Sequence, residues 1–229
     1  QIKQGFVEIR WYEGDRQFGQ RALGASNQAL TSIHQHLDIQ LHRPTRIVLY
    51  ADRKLMHTAL GGGTSPWVAG QTTGTLSTMV LHAPSSSQEL GVLIAHELTH
   101  IVLDQFTQNP FSRPPAWIHE GLATYMESTI APRFDYDHIV TEAIKNGTTP
   151  SLRGLLSTFP ADDSRAILAY AHTNSLMRFV IEQYGYPALR QLLQTYRQGL
   201  TDDEALQRTF QVSISELETS WLDHINRTT

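Results

Sequence analysis

No cysteine occurs among the 229 residues. Disulfide bridges and thiolate metal sites are therefore excluded, while either side of a membrane remains a compatible location. Long apolar runs are missing too: none approaches the roughly 18 residues that a spanning helix needs, so no membrane contact is expected from this chain. Basic clusters are absent, and 18 Lys and Arg against 22 Asp and Glu leave a net charge of −4, which is no footprint for nucleic acid. The run Gly61-Gly62-Gly63 is followed by neither Lys-Ser nor Lys-Thr, so it is a flexible loop and not a phosphate cradle. Internal repeats and low-complexity tracts are not found. Asn146-Gly147-Thr148 and Asn226-Arg227-Thr228 match the glycosylation pattern, but so short a pattern decides nothing. The first residue is Gln1 and not Met. We therefore expect a processed form, extracytoplasmic or secreted, with any signal or anchor outside this chain.

What is present is an ordinary globular composition, 40% hydrophobic and 17% charged, enough for one large domain or two lobes. Val7, Ile9 and Trp11 alternate with Glu8 and Arg10, which predicts a strand over Gly5–Tyr12. Apolar residues at helical spacing from Arg16 to Leu37 predict a long helix, weakened by Gly19 and Gly24. His34 and His36 lie two apart on it and read as surface residues. Thr45–Ala51 is a strand, and Asp52–Leu60 a short helix. Trp67–Gln71 and Thr75–His82 are two strands around a turn near Gly74. From Asp135 onward the chain reads as helices: Asp135–Asn146 closed by Gly147, Leu152–Phe159, Ser164–Tyr184 stopped by Gly185, Pro187–Tyr196, Asp202–Phe210 and Ser215–Ile225.

The chemistry concentrates between Gln88 and Glu127. Ser86 and Glu89 stand three apart before an apolar run, the pattern of a capping box. His96-Glu97-Leu98-Thr99-His100 follows on the helix so started. The two histidines are i and i+4, so their imidazoles share one face and can bind one Zn²⁺. Glu97 is not needed as a ligand and is placed to take a proton from a water that zinc acidifies. Catalytic zinc usually has a third protein ligand. Leu103 and Phe106 stand where a metzincin would carry Gly and His. Asp104 lies too far along the same helix for one ion. Glu120 is better placed: Pro110, Pro114 and Pro115 must break the first helix, and a second one can carry Glu120 back to the metal.

The motif His96-Glu97-x-x-His100 with Glu120 twenty positions on resembles the gluzincin zinc metallopeptidases. Trp117-x-x-Glu120-Gly121-x-Ala123-x-Tyr125-x-Glu127 is similar to the peptidase MA-like proteins and the zinc aminopeptidases, whose members often read Trp-Leu-Asn-Glu-Gly. Here Ile118 and His119 stand in the middle, a departure that sets His119 in competition with Glu120. The resemblance implies an α+β, zincin-like fold. A small mixed β-sheet N-terminal lobe (1–105) would carry the His-Glu-x-x-His helix, and a helical C-terminal lobe (106–229) would bring Glu120, with the metal cleft between them. It also implies that the strand before the metal helix, Thr75–His82, forms the cleft edge to which an extended peptide can add.

The implied activity is hydrolysis of peptide bonds with one Zn²⁺ per chain held by His96, His100 and Glu120, and Glu97 as general base. The segment around Tyr170 and His172 is similar both to an aminopeptidase segment whose Tyr stabilises the oxyanion and to a thermolysin segment whose His does so. Tyr170 and His172 are thus alternative candidates, with Tyr170 preferred. Thr124 and Glu127 are candidates for orienting the imidazoles. The expected partner is a peptide or protein substrate. We find no acidic constellation that would receive a peptide N-terminus, so endopeptidase is favoured over aminopeptidase. The alternative is a non-catalytic zinc-containing binding module on the same fold.

Overall fold

A computed structural model of the chain describes residues 1–61, 70–73, 77–84, 86–131, 135–156, 159 and 163–228. It divides into two compact units, 1–106 with 126–131 and 107–125 with 132–229. The fold is mixed α and β, with a five-stranded sheet in the N-terminal part and most of the helices in the C-terminal part.

The first unit opens with an antiparallel hairpin, β1 (Ile2–Gln4) and β2 (Val7–Trp11), turned at Gly5, whose φ of 55° is a left-handed conformation open to glycine. The alternation in β2 sends Val7 and Ile9 into the core. Helix α1 (Arg16–Leu37) is capped by Asp15, which accepts from the Phe18 N–H, and stopped at Asp38 in the left-handed region. It buries Ala22, Ala29, Ile33 and Leu37. Gly19 has a reason to be there: a Cβ would meet the Trp11 ring at 2.4 Å. A parallel partner for β2 needs such a crossover helix, and β3 (Thr45–Tyr50) supplies it, with Ile9 opposite Ile47.

After α2 (Arg53–Ala59) come β4 (Gly70–Thr73) and β5 (Thr78–His82). The sheet order is β1-β2-β3-β5-β4. Strand β5 therefore lies inside the sheet, parallel to β3 and antiparallel to β4. This corrects the expectation that the strand before the metal helix is the edge. Met79 and Leu81 are buried in β5, and a strand this apolar is stabilised by neighbours on both sides. The edge is β4. Residues 62 and 63 of the glycine run, 67–69 of the first strand of the pair, 75–76 of the second, and the turn at Gly74 lie outside the described residues.

Helix α3 (Ser87–Phe106) packs on α1 and on the sheet, burying Leu90, Ile94, Leu98, Ile101 and Val102. The Ser86 hydroxyl accepts from the Glu89 N–H at 3.4 Å. Near the other end, the Gln105 carboxamide accepts from the N–H groups of His42 and Arg43 and donates to the hydroxyls of Thr45 and Ser77.

The second unit is helical. Helix α4 (Ala116–Ser128) starts directly after Pro114-Pro115, where proline suits a helix entry, and its last residues belong to the first unit. Helix α5 (Tyr136–Lys145) is capped by Asp135 and followed by a short 3₁₀ turn, Leu152–Leu155. Helix α6 (Asp163–Arg197) is broken at Gly185, with φ 80° and ψ 164°, and Pro187 opens its second part. Helices α7 (Asp202–Phe210) and α8 (Ile214–Thr228) complete the unit; α7 starts on a capping box of Thr201 and Glu204. Trp117, Leu176, Leu193, Tyr196, Leu206 and Trp221 lie in its core. Among the described residues, no helix is long and apolar enough to cross a membrane.

Candidate metal centre

His96 and His100 share one face of α3 as their spacing requires. Their rings meet edge to face with centroids 4.9 Å apart, and the two Nε2 atoms are 3.2 Å apart. Two nitrogens each about 2.0–2.1 Å from a tetrahedral ion are separated by about 3.3–3.4 Å, so this pair fits two corners of a zinc site. Nδ1 of His96 lies 3.0 Å from Oε2 of Glu127, which is buried. With Nδ1–H donating to that carboxylate, Nε2 keeps its lone pair for a metal.

Glu127 belongs to the last turn of α4, and seven residues earlier on that helix stands Glu120. Seven residues are close to two full turns, so both carboxylates project from nearly one face. His96, His100 and Glu120 each offer a ligand atom, all within 4.8 Å of one another, and they form the one such group among the described residues. His119 is not in it. Two imidazoles and one carboxylate form the donor set of many hydrolytic zinc centres, so the residues present fit the ion.

Gly121 explains how α4 can sit where it does. A Cβ there would meet the Thr173 carbonyl oxygen at 2.6 Å. Only glycine lets α4 come so near α6, and the residue just before it is Glu120.

Glu97 is 8% exposed. The Thr72 hydroxyl donates to its Oε2 at 2.5 Å and lies 3.5 Å from its main-chain oxygen. A buried carboxylate needs such a donor. Sequence reasoning missed Thr72. The two residues are 25 apart, and nothing local to Thr72 marks it, because the contact depends on which strand takes the sheet edge.

Thr124 and His172 are both buried in the helical unit. The Thr124 hydroxyl donates to the Glu120 and Gly121 carbonyls of its own helix, at 2.7 and 3.1 Å, while the carboxylate on Nδ1 of His96 is that of Glu127. His172 is 1% exposed, with its ring 4.3 Å from that of Trp221. Both its ring nitrogens are buried without a hydrogen-bond partner among the described residues, and burial lowers its pKa to about 4. The ring is therefore neutral near pH 7 and enclosed in the core of its unit. Tyr170 is half-buried on α6 with its ring 5.0 Å from Phe159.

A model of the peptidase MA superfamily matches residues 25–227, nearly the whole chain. No curated protein matches.

Proposed function

This chain belongs to the peptidase MA superfamily, and from that premise we propose that it is a zinc-dependent peptidase, acting within peptide or protein chains more than at their N-termini. The observation that carries the reading is the grouping of His96, His100 and Glu120 beside a buried Glu97 that is not part of the group. A structural zinc site is closed by four protein ligands, whereas a catalytic one leaves a position open; three ligands with a separate carboxylate suit the second.

His96, His100 and Glu120 would hold the ion, with Glu127 fixing the His96 tautomer through Nδ1. Zinc, when bound, would acidify a water and polarise the scissile carbonyl. Glu97 takes the proton of the attacking water and returns it to the leaving amine. Its Oε2 is held by Thr72, so Oε1 is the oxygen available for the proton. The Tyr170 hydroxyl is our candidate donor to the oxyanion.

The test is a mixed peptide library read for cleavage sites, with zinc measured on the same samples. The parent should hold about one zinc per chain and cut internal bonds. Glu97→Gln should keep the zinc and lose at least about 10²-fold of the activity, the usual scale for a positioned acid–base group. Zinc retained with no hydrolysis by the parent would leave a zinc-holding binding module. Activity within a few-fold of the parent in Glu97→Gln would remove Glu97 from the mechanism.

A further inference from the structure

The geometry points to Thr72 as a positioning residue for Glu97: the hydroxyl of the edge strand holds one carboxylate oxygen and thereby aims the other. This inference rests on the peptidase reading for its consequence, though not for the contact itself.

Three observations carry it. First, β4 pairs with β5 in a register that sets Thr72 opposite Met79. Cross-strand partners share a face of the sheet, and Met79 is fully buried, so Thr72 faces inward toward α3. Second, Glu97 is buried, and among the described residues Thr72 is the donor to its carboxylate. A glutamate side chain has three rotatable bonds, and a buried one without a partner would turn to find one. Third, the same hydroxyl lies 3.5 Å from the main-chain oxygen of Glu97, so β4 runs close to the backbone of the residue that it orients.

A hydroxyl suits this task. It donates to one oxygen and carries no charge, so it fixes the carboxylate without neutralising it, as a lysine or arginine there would tend to do. A general base must lie within hydrogen-bond reach of the proton it removes, and small misplacements are costly. The group that sets the Glu97 rotamer therefore bears on turnover while touching neither substrate nor metal.

Two substitutions separate the hydroxyl from its bulk. Thr72→Val keeps the shape and removes the donor, and Thr72→Ser keeps the donor. In the zinc-loaded protein, Thr72→Val should lower kcat by about 10- to 10²-fold, with KM within about threefold and zinc content unchanged. Thr72→Ser should recover most of that loss. In the Glu97→Gln background, Thr72→Val should change residual turnover by less than about twofold, because residues that act as a unit are not additive.

A second measurement needs neither metal nor activity. In metal-free protein, Thr72→Val should lower Tm by about 2–6 °C, and the drop should vanish in the Glu97→Leu background. Equal drops in both backgrounds, or an unchanged kcat in Thr72→Val, would overturn the inference. The outcomes also separate it from the peptidase reading. A parent without Glu97-dependent hydrolysis but with the unfolding coupling intact would sink the peptidase reading and leave the Thr72–Glu97 pairing standing. Glu97-dependent hydrolysis without the coupling would sink the pairing alone.

Discussion

At the scale of single residues, the telling contrast is between neighbours. His119 and Glu120 are adjacent on α4 and point about 100° apart, and Glu120 stands in the group with His96 and His100. Glu120→Ala should weaken zinc binding by orders of magnitude, and His119→Ala should leave it within a few-fold; titration with a zinc indicator reads both. Strong loss in His119→Ala with binding kept in Glu120→Ala would invert the ligand set. His172 makes a different point. Its ordinary pKa of 6.5 falls to about 4 in the folded chain because burial disfavours its charge. Below pH 6.5 the unfolded chain therefore takes up a proton that the folded chain refuses, so this contribution is complete above pH 6.5 and is lost as pH falls toward 4. The loss reaches about 3 kcal/mol. Denaturant unfolding from pH 7 to 4 should show a shallower slope for His172→Phe than for the parent.

At the scale of elements, glycines divide by what surrounds them. Gly121 lets α4 approach α6, and any Cβ would meet the Thr173 carbonyl oxygen. Gly121→Ala should cost about 1–3 kcal/mol, the usual range for overpacking, because a backbone atom cannot rotate away. Gly24 lies exposed within α1, with open space where a Cβ would go. Gly24→Ala should stabilise by about 0.5–1 kcal/mol through helix propensity. Thermal unfolding of the pair gives opposite signs, and a shared sign would show that backbone propensity outweighs the close packing at Gly121, or the reverse. One helix start was legible from its capping residue, since Ser86 accepts from the Glu89 N–H at the start of α3; the caps Asp15, Asp135 and Thr201 emerge from the structure. Strand order was not legible, since a strand's position in the sheet is decided by pairing partners far away in sequence.

For the whole molecule, the proposed metal site predicts a link between metal and stability. An ion that binds the folded chain and not the unfolded one stabilises it by mass action, by about 2.7 kcal/mol at one hundred times Kd. In a chain of this size that is about 5–10 °C of Tm. Chelation should therefore lower Tm by that amount, and added zinc should restore it. The same treatment should leave His96→Ala and His100→Ala unmoved, since each lacks one of the two nitrogens. A chelator-sensitive Tm in both variants would place the ion elsewhere.

The sequence alone determined whatever depends on contacts within about one helical turn or on a strong break. The i, i+4 histidines, the carboxylate between them and the proline stop before α4 are of this kind, and so are most of the helical segments. Periodicity and φ restriction act locally, so they can be read locally. Tertiary structure decided the rest. It put β4 and not β5 at the sheet edge, and with it Thr72 on Glu97. It turned the Thr124 hydroxyl to its own helix while placing Glu127 on His96. It enclosed His172 beside Trp221. Each of these depends on which surfaces pack together, and a residue's own neighbours in sequence carry no signal of what will cover it.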